Sequence, residues 1–198
     1  MRLFYYPLIL TIAVIALFVK LASPFIEYKQ ISHTLPIHKT LYLERGIYRD
    51  QLYHIIAATM EWNQATDGDV VLDIKLLPQH DIVPQDAIII MNVTPDFPEI
   101  ILLDNINKYS TLGFYNHDSI LPYIALVDER ISRQDYDAVI LHELGHALGL
   151  EHIKSFDGIG TLMYPSIDLA SDHITMTDLK QFCQLYHCEA SKYYDVQP

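Results

Sequence analysis

The segment His142-Glu143-Leu144-Gly145-His146-Ala147-Leu148-Gly149-Leu150-Glu151-His152 places three imidazoles, a catalytic-type carboxylate and two glycines close together. On a helix, residues four apart lie on one face about one turn apart, so His142 and His146 can offer ring nitrogens to one metal ion. Glu143, one residue past the first histidine, flanks that ion, where its carboxylate can reach water. Gly149 lacks a Cβ and can take positive φ, which ends the helix and reverses the chain. The reversal lets His152 approach the same ion from the side. Three neutral nitrogens leave a fourth position open, as expected of catalytic rather than structural zinc. A bare H-E-x-x-H arises by accident, but a glycine and a third histidine at these offsets make coincidence improbable.

Elements must hold these groups in place. Ser132 followed by Asp135 resembles a capping box, opening a helix that should run to about Leu148, with Tyr136, Ile140, Leu144 and Ala147 at helical period and Gly149 as its stop. Upstream, Leu52, Ile55, Ile56, Thr59, Met60 and Trp62 give an amphipathic helix over about Arg49–Ala65, broken by Thr66-Asp67-Gly68-Asp69. Val70–Leu77 is β-branched and ended by Pro78. Ile88–Val93 and Ile100–Leu103 are short apolar strand candidates, and Thr111–Tyr115 and Tyr123–Val127 frame a turn-rich stretch. Residues 23–45 show no clear period and read as a leader into the domain. A last helix runs from about Thr175 to Leu185, capped by Thr175 or Thr177. This order is that of an α+β fold.

The 198 residues suit one domain, 23–198, after an N-terminal segment, 1–22. Half the composition is apolar and 19% is charged, which excludes a disordered chain. A net charge of -12 argues against nucleic acid as partner, because that binding depends on neutralising phosphates. Leu3 to Val19 carries no charge and is closed by Lys20. It is read as a signal peptide or an N-terminal anchor, leaving membrane association through residues 3–19 open. Either places the rest outside the cytoplasm, secreted or held at a membrane. Cys183 and Cys188, five apart, make a disulfide plausible in such a compartment, provided the last helix ends between them. Oligomeric state is not encoded in any feature of this kind.

The long motif at 142–152, together with a Met-turn at Leu162-Met163-Tyr164-Pro165, resembles the metzincin superfamily of metallopeptidases. Met-Tyr-Pro and the closing Thr177-Asp178-Leu179-Lys180-Gln181-Phe182 are most similar to the matrixins. The resemblance implies an N-terminal mixed, twisted sheet with a helix, then an active-site helix, a Met-turn and a C-terminal helix. It implies zinc on His142, His146 and His152, and Glu143 as the catalytic base. Gly149 would be the reversal, Met163 a hydrophobic floor beneath the metal, and Tyr164-Pro165-Ser166 part of a substrate pocket wall. The implied activity is zinc-dependent hydrolysis of internal peptide bonds, with a protein or peptide lying along Gly113–Tyr115. Two other classes compete: a zinc amidase acting on cell-wall peptides, whose chemistry would be indistinguishable at the motif, and a zinc-stabilised binding module, in which Glu143 would have no task.

Overall fold

The computed structural model describes residues 35–78, 83–84, 87–107 and 110–196. The apolar run at 3–19 and the division at residue 22 lie outside the described residues. Among the described residues no helix is long and apolar enough to cross a membrane.

Five strands, β1 (Ile37–Leu43), β2 (Val70–Leu76), β3 (Ile88–Asn92), β4 (Gly113–Asn116) and β5 (Tyr123–Leu126), form one sheet in the order β2-β1-β3-β5-β4. Three of the four pairings among the described residues are parallel, β1 with β2 and with β3 and β3 with β5, and only β4, at the rim, runs antiparallel to β5. A strand buried on both faces reads as an unbroken apolar run, as Tyr-Ile-Ala-Leu of β5 does; β3 is apolar in sequence but alternates in burial, with Ile88 and Ile90 buried and Ile89 half-buried. β1 was hidden for the opposite reason. His38, Lys39 and Thr40 dilute its pattern, yet Leu41 and Leu43 are fully buried and the strand lies inside the sheet.

Helix α1 (Arg49–Ala65) crosses from β1 to β2, as a parallel pair requires. Its Ile55, Ala58 and Trp62 pack into the core, each such large apolar side chain contributing about 1.5–3 kcal/mol on full burial. The chain then turns through Asp67 and Gly68, both at positive φ. Ile100–Leu103, expected as a strand, belongs instead to helix α2 (Pro98–Asn107). Pro98 stands at the first helical position and Glu99 in the first turn, and these start signals outweigh a four-residue apolar run that fits either state.

Helix α3 (Tyr136–Ala147) begins later than expected. Ser132 Oγ accepts from the Asp135 N–H at 3.3 Å but spends its own hydroxyl on the Asp135 carboxylate at 2.6 Å, so the pair closes a turn before the helix. Helix α4 (Met176–Tyr186) has Thr175 as its cap, with Thr175 and Asp178 bonded reciprocally. It ends at His187, whose φ of 57° is left-handed. That end falls between Cys183 and Cys188, which are joined as a disulfide.

Candidate metal centre

The reversal after α3 is a Schellman turn. Gly149 has φ +88°, Gly149 N–H donates to His146 O at 2.9 Å, and Leu150 N–H donates to Gly145 O at 3.0 Å. A Cβ on Gly149 would lie 2.8 Å from Leu185 Cδ2, so backbone angle and packing both call for glycine. His152 is thereby returned to the helix face. Its Nε2 lies 3.0 Å from His142 Nε2 and 3.1 Å from His146 Nε2. Three donors about 2 Å from one zinc in tetrahedral array would stand about 3.3 Å apart, close to this spacing.

Two rings are fixed in the tautomer that metal binding needs. His142 Nδ1–H donates to Leu162 O at 2.7 Å, and His146 Nδ1–H donates to Leu150 O at 2.8 Å. Each leaves an Nε2 lone pair facing the common point. Burial lowers the affinity of all three rings for protons, bringing His142 to about 3 and His152 to about 4 and shifting His146 in the same direction. Neutral imidazoles gathered in this way fit a zinc ion. Among the described residues no other group of histidine, cysteine and carboxylate ligands converges so; His117 and Asp118, an exposed pair in the β4–β5 turn, do not.

Glu143 is 5% exposed, and its Oε2 has no hydrogen-bond partner among the described residues. Burial pushes its carboxyl up to about 8, while the backbone N–H of Tyr115 on β4 acts to hold it down. A buried, incompletely bonded carboxyl beside three convergent imidazoles is the arrangement in which acid–base groups are found.

The Met-turn holds the centre from below. Met163 is fully buried, and a Cβ on Gly145 would lie 2.5 Å from its sulfur, so Gly145 lets the turn close on the helix. The backbone around Met163 links two of the histidines: Leu162 O orients His142, and Met163 O accepts from the N–H of Ile153, next to His152. That backbone is itself held by Asp178, wholly buried on α4, whose oxygens accept from Leu162 N–H and Met163 N–H, both at 3.1 Å. The same carboxylate takes Thr175 N–H at 2.8 Å. In the sequence Asp178 stands only in the closing segment, without a role; the spacing Thr175-x-x-Asp178, that of a capping box, is the signal that could have found it. Trp62 Nε1–H donates to Leu141 O at 3.0 Å and ties α1 to α3 behind the site. Tyr164 is half-buried beside the turn. A cavity bordered by Gln134, Asp135, Ala138, Ile167, Ala170 and Ser171 opens one turn back along α3 from His142.

A mixed sheet, a histidine-bearing helix closed by a glycine reversal, and a methionine turn beneath it define a metallopeptidase of the metzincin kind. A family model described as matrixin matches residues 49–187, more than half of the chain. The chain belongs to the matrixin family. Its fold is similar to that of archaemetzincin from Methanopyrus kandleri, with a TM-score of 0.50 and 13% identity over 79% of this chain and 97% of that one. Metalloproteinase-II from Bacteroides fragilis is also similar, at a TM-score of 0.47 and 14% identity over 79% of this chain and 55% of that one. No curated protein matches in sequence.

Proposed function

We propose that the chain is a zinc-dependent endopeptidase acting on proteins outside the cytoplasm, with zinc held by His142, His146 and His152 and the proton moved by Glu143. The observation that carries this is the convergence of three imidazoles, with His152 Nε2 at 3.0 Å and 3.1 Å from those of His142 and His146 and all three ligand atoms within 4.8 Å, beside a buried carboxylate oxygen without a partner among the described residues. Zinc, when bound, supplies Lewis acidity that polarises a carbonyl and acidifies water. Glu143 takes the proton from the attacking water and hands it to the departing amine nitrogen, serving as base and then as acid. The Tyr115 N–H orients that carboxylate, and the apolar packing around Met163 keeps bulk water from the underside.

Substrate recognition follows from the sheet. β4 lies at its rim with β5 on one side, and a rim strand offers backbone groups to which an extended peptide can add. The cavity between α3 and the Ile167–Leu169 turn is a candidate recess for a substrate side chain. The disulfide Cys183–Cys188 and the apolar run at 3–19 support an oxidising compartment outside the cytoplasm, either secreted or at a membrane.

The test is zinc analysis of purified protein with a peptidase assay reversible by chelator and added zinc. Glu143→Ala should keep its zinc and lose about 10²–10⁴-fold in turnover, the range of a general base. His142→Ala should lose both. A peptide library digested beside purified cell wall separates endopeptidase from amidase, and cleavage of cell wall alone defeats the proposal. The N-terminal residue and membrane partition of the expressed chain report on residues 1–22.

A further inference from the structure

The path from β3 to β4 is fixed by two side chains whose role the metal centre does not explain. Asp104, on α2, accepts Thr111 N–H through Oδ1 at 2.7 Å. Arg130, in the 3₁₀ turn Asp128–Arg130 after β5, donates from Nη1 to Asp104 Oδ2 at 2.9 Å and to Thr111 O at 3.1 Å. One carboxylate and one guanidinium therefore occupy both backbone polar groups of Thr111. Charge-assisted bonds of this kind are stronger and more directional than neutral ones. The Thr111 amide, followed by Arg130, holds the Asp104 carboxyl below the usual carboxylate range. Both side chains are partly sheltered, with 22% exposure for Arg130 and 27% for Asp104.

Thr111 lies just before the residues that meet the centre. Leu112 O accepts Val127 N–H at 2.8 Å, and Gly113 opens β4. A Cβ on Gly113 would lie 3.2 Å from Val139 Cγ1 and 3.3 Å from both Ala125 O and Glu143 Cγ, so the strand passes against the side chain of Glu143. Consecutive Cα atoms are about 3.8 Å apart, so Thr111 stands only two Cα steps from Gly113 and its anchoring bears directly on the entry of β4. Strand β4 is short and is paired to β5 alone among the described residues. Its height over Glu143 depends on what grips its entry.

We infer that Asp104 and Arg130 are positioning residues that set the rim strand β4 against Glu143 and so fix the surface to which substrate backbone adds. This rests on the proposed peptidase function, in which β4 is the substrate strand. With the grip released, peptides long enough to lie along β4 should bind less well, while the chemistry at the scissile bond continues.

The experiment compares Arg130→Met, Asp104→Asn and Arg130→Lys with the parent, all zinc-loaded. Two peptides are used, one spanning the cleft and one ending beside the scissile bond. For the long peptide, KM should rise on the order of tenfold in Arg130→Met and Asp104→Asn, with kcat nearly unchanged. The short peptide should be cleaved as by the parent. Arg130→Lys, which retains a charged donor, should recover most of the loss. Hydrogen exchange should quicken at residues 112–116 and stay unchanged in α3. Equal losses on both peptides, or unchanged KM with unchanged exchange, would overturn the inference. If Arg130→Met does not fold, the KM split is read from Asp104→Asn, with Arg130→Lys as the near-parental control. If the parent cleaves neither peptide, the peptidase proposal fails, and the exchange comparison alone decides whether the grip exists.

Discussion

Gly145 and Glu143 face opposite demands on the same helix. Gly145 must carry nothing, because the Met163 sulfur occupies the place of its Cβ and Trp62 Cζ2 stands 3.4 Å away. Met163 is fully buried and cannot swing aside into solvent. Gly145→Ala should therefore destabilise the fold by about 1–3 kcal/mol, the cost of overpacking a tight core, measured by urea unfolding. Glu143 and the histidines set the acid–base behaviour of the metal-free protein. The folded rings of His142 and His152 titrate at about 3 and about 4, whereas unfolded imidazoles titrate near 6.5. As pH falls below about 6.5 the unfolded chain binds more protons than the folded one, so stability declines toward pH 4. Glu143 acts in the other direction. Its folded carboxyl titrates at about 8 against about 4.3 when unfolded, so its contribution is present at lower pH and is lost as pH rises through 8. Chelator-stripped protein should thus be most stable near neutrality, and Glu143→Gln should remove the decline on the alkaline side. A flat unfolding midpoint between about pH 5 and pH 9 would contradict this.

At the scale of elements, the tie between the Met-turn and α4 is the one most open to test. Asp178→Ala would strand the N–H groups of Leu162 and Met163 in the interior and remove the reciprocal bonds at Thr175. A loss of about 3 kcal/mol or more is expected in urea unfolding. Zinc affinity should fall about tenfold or more, because Leu162 O would no longer hold the His142 ring. Helices α1 and α4 were legible in the sequence because each buries one stripe at helical period, and α3, buried on most of its circumference, because its histidine motif and Gly149 mark its end. The histidine geometry was legible because a single helix and a single glycine fix it. Strand β1 and helix α2 were not. Charged and hydroxyl residues mask the pattern of β1, whose burial is decided by neighbours distant in sequence, and Ile100–Leu103 satisfies both periods until Pro98 is weighed. Asp104, Arg130 and Thr111 come from three separate segments, and nothing local in any of them announces that they meet.

Across the whole molecule, the C-terminal segment is bound back onto the sheet rather than left trailing. Tyr193 is fully buried and donates from its hydroxyl to Asp69 Oδ2 at 2.7 Å, with Lys192 paired to the same carboxylate. The disulfide Cys183–Cys188 stiffens the end of α4 just before this segment. A loop this short gives about 2 kcal/mol from chain entropy. Reduction, or replacement of both cysteines by alanine, should lower unfolding stability by about that amount and leave zinc content unchanged. Loss of zinc on reduction would mean that α4 cannot hold Asp178 under the Met-turn without the crosslink.

Strand β1 is made first and ends in the middle of the sheet, between β2 and β3. A ribosome delivers Ile37–Leu43 well before either neighbour exists, and its flanks close only after Asn92 has followed. Because both neighbours of β1 come later in the chain, the sheet cannot close around it until β3 has been made. A chain cut short before Ile88 therefore leaves one edge of β1 unpaired, and such a truncated product should aggregate where the longer one does not.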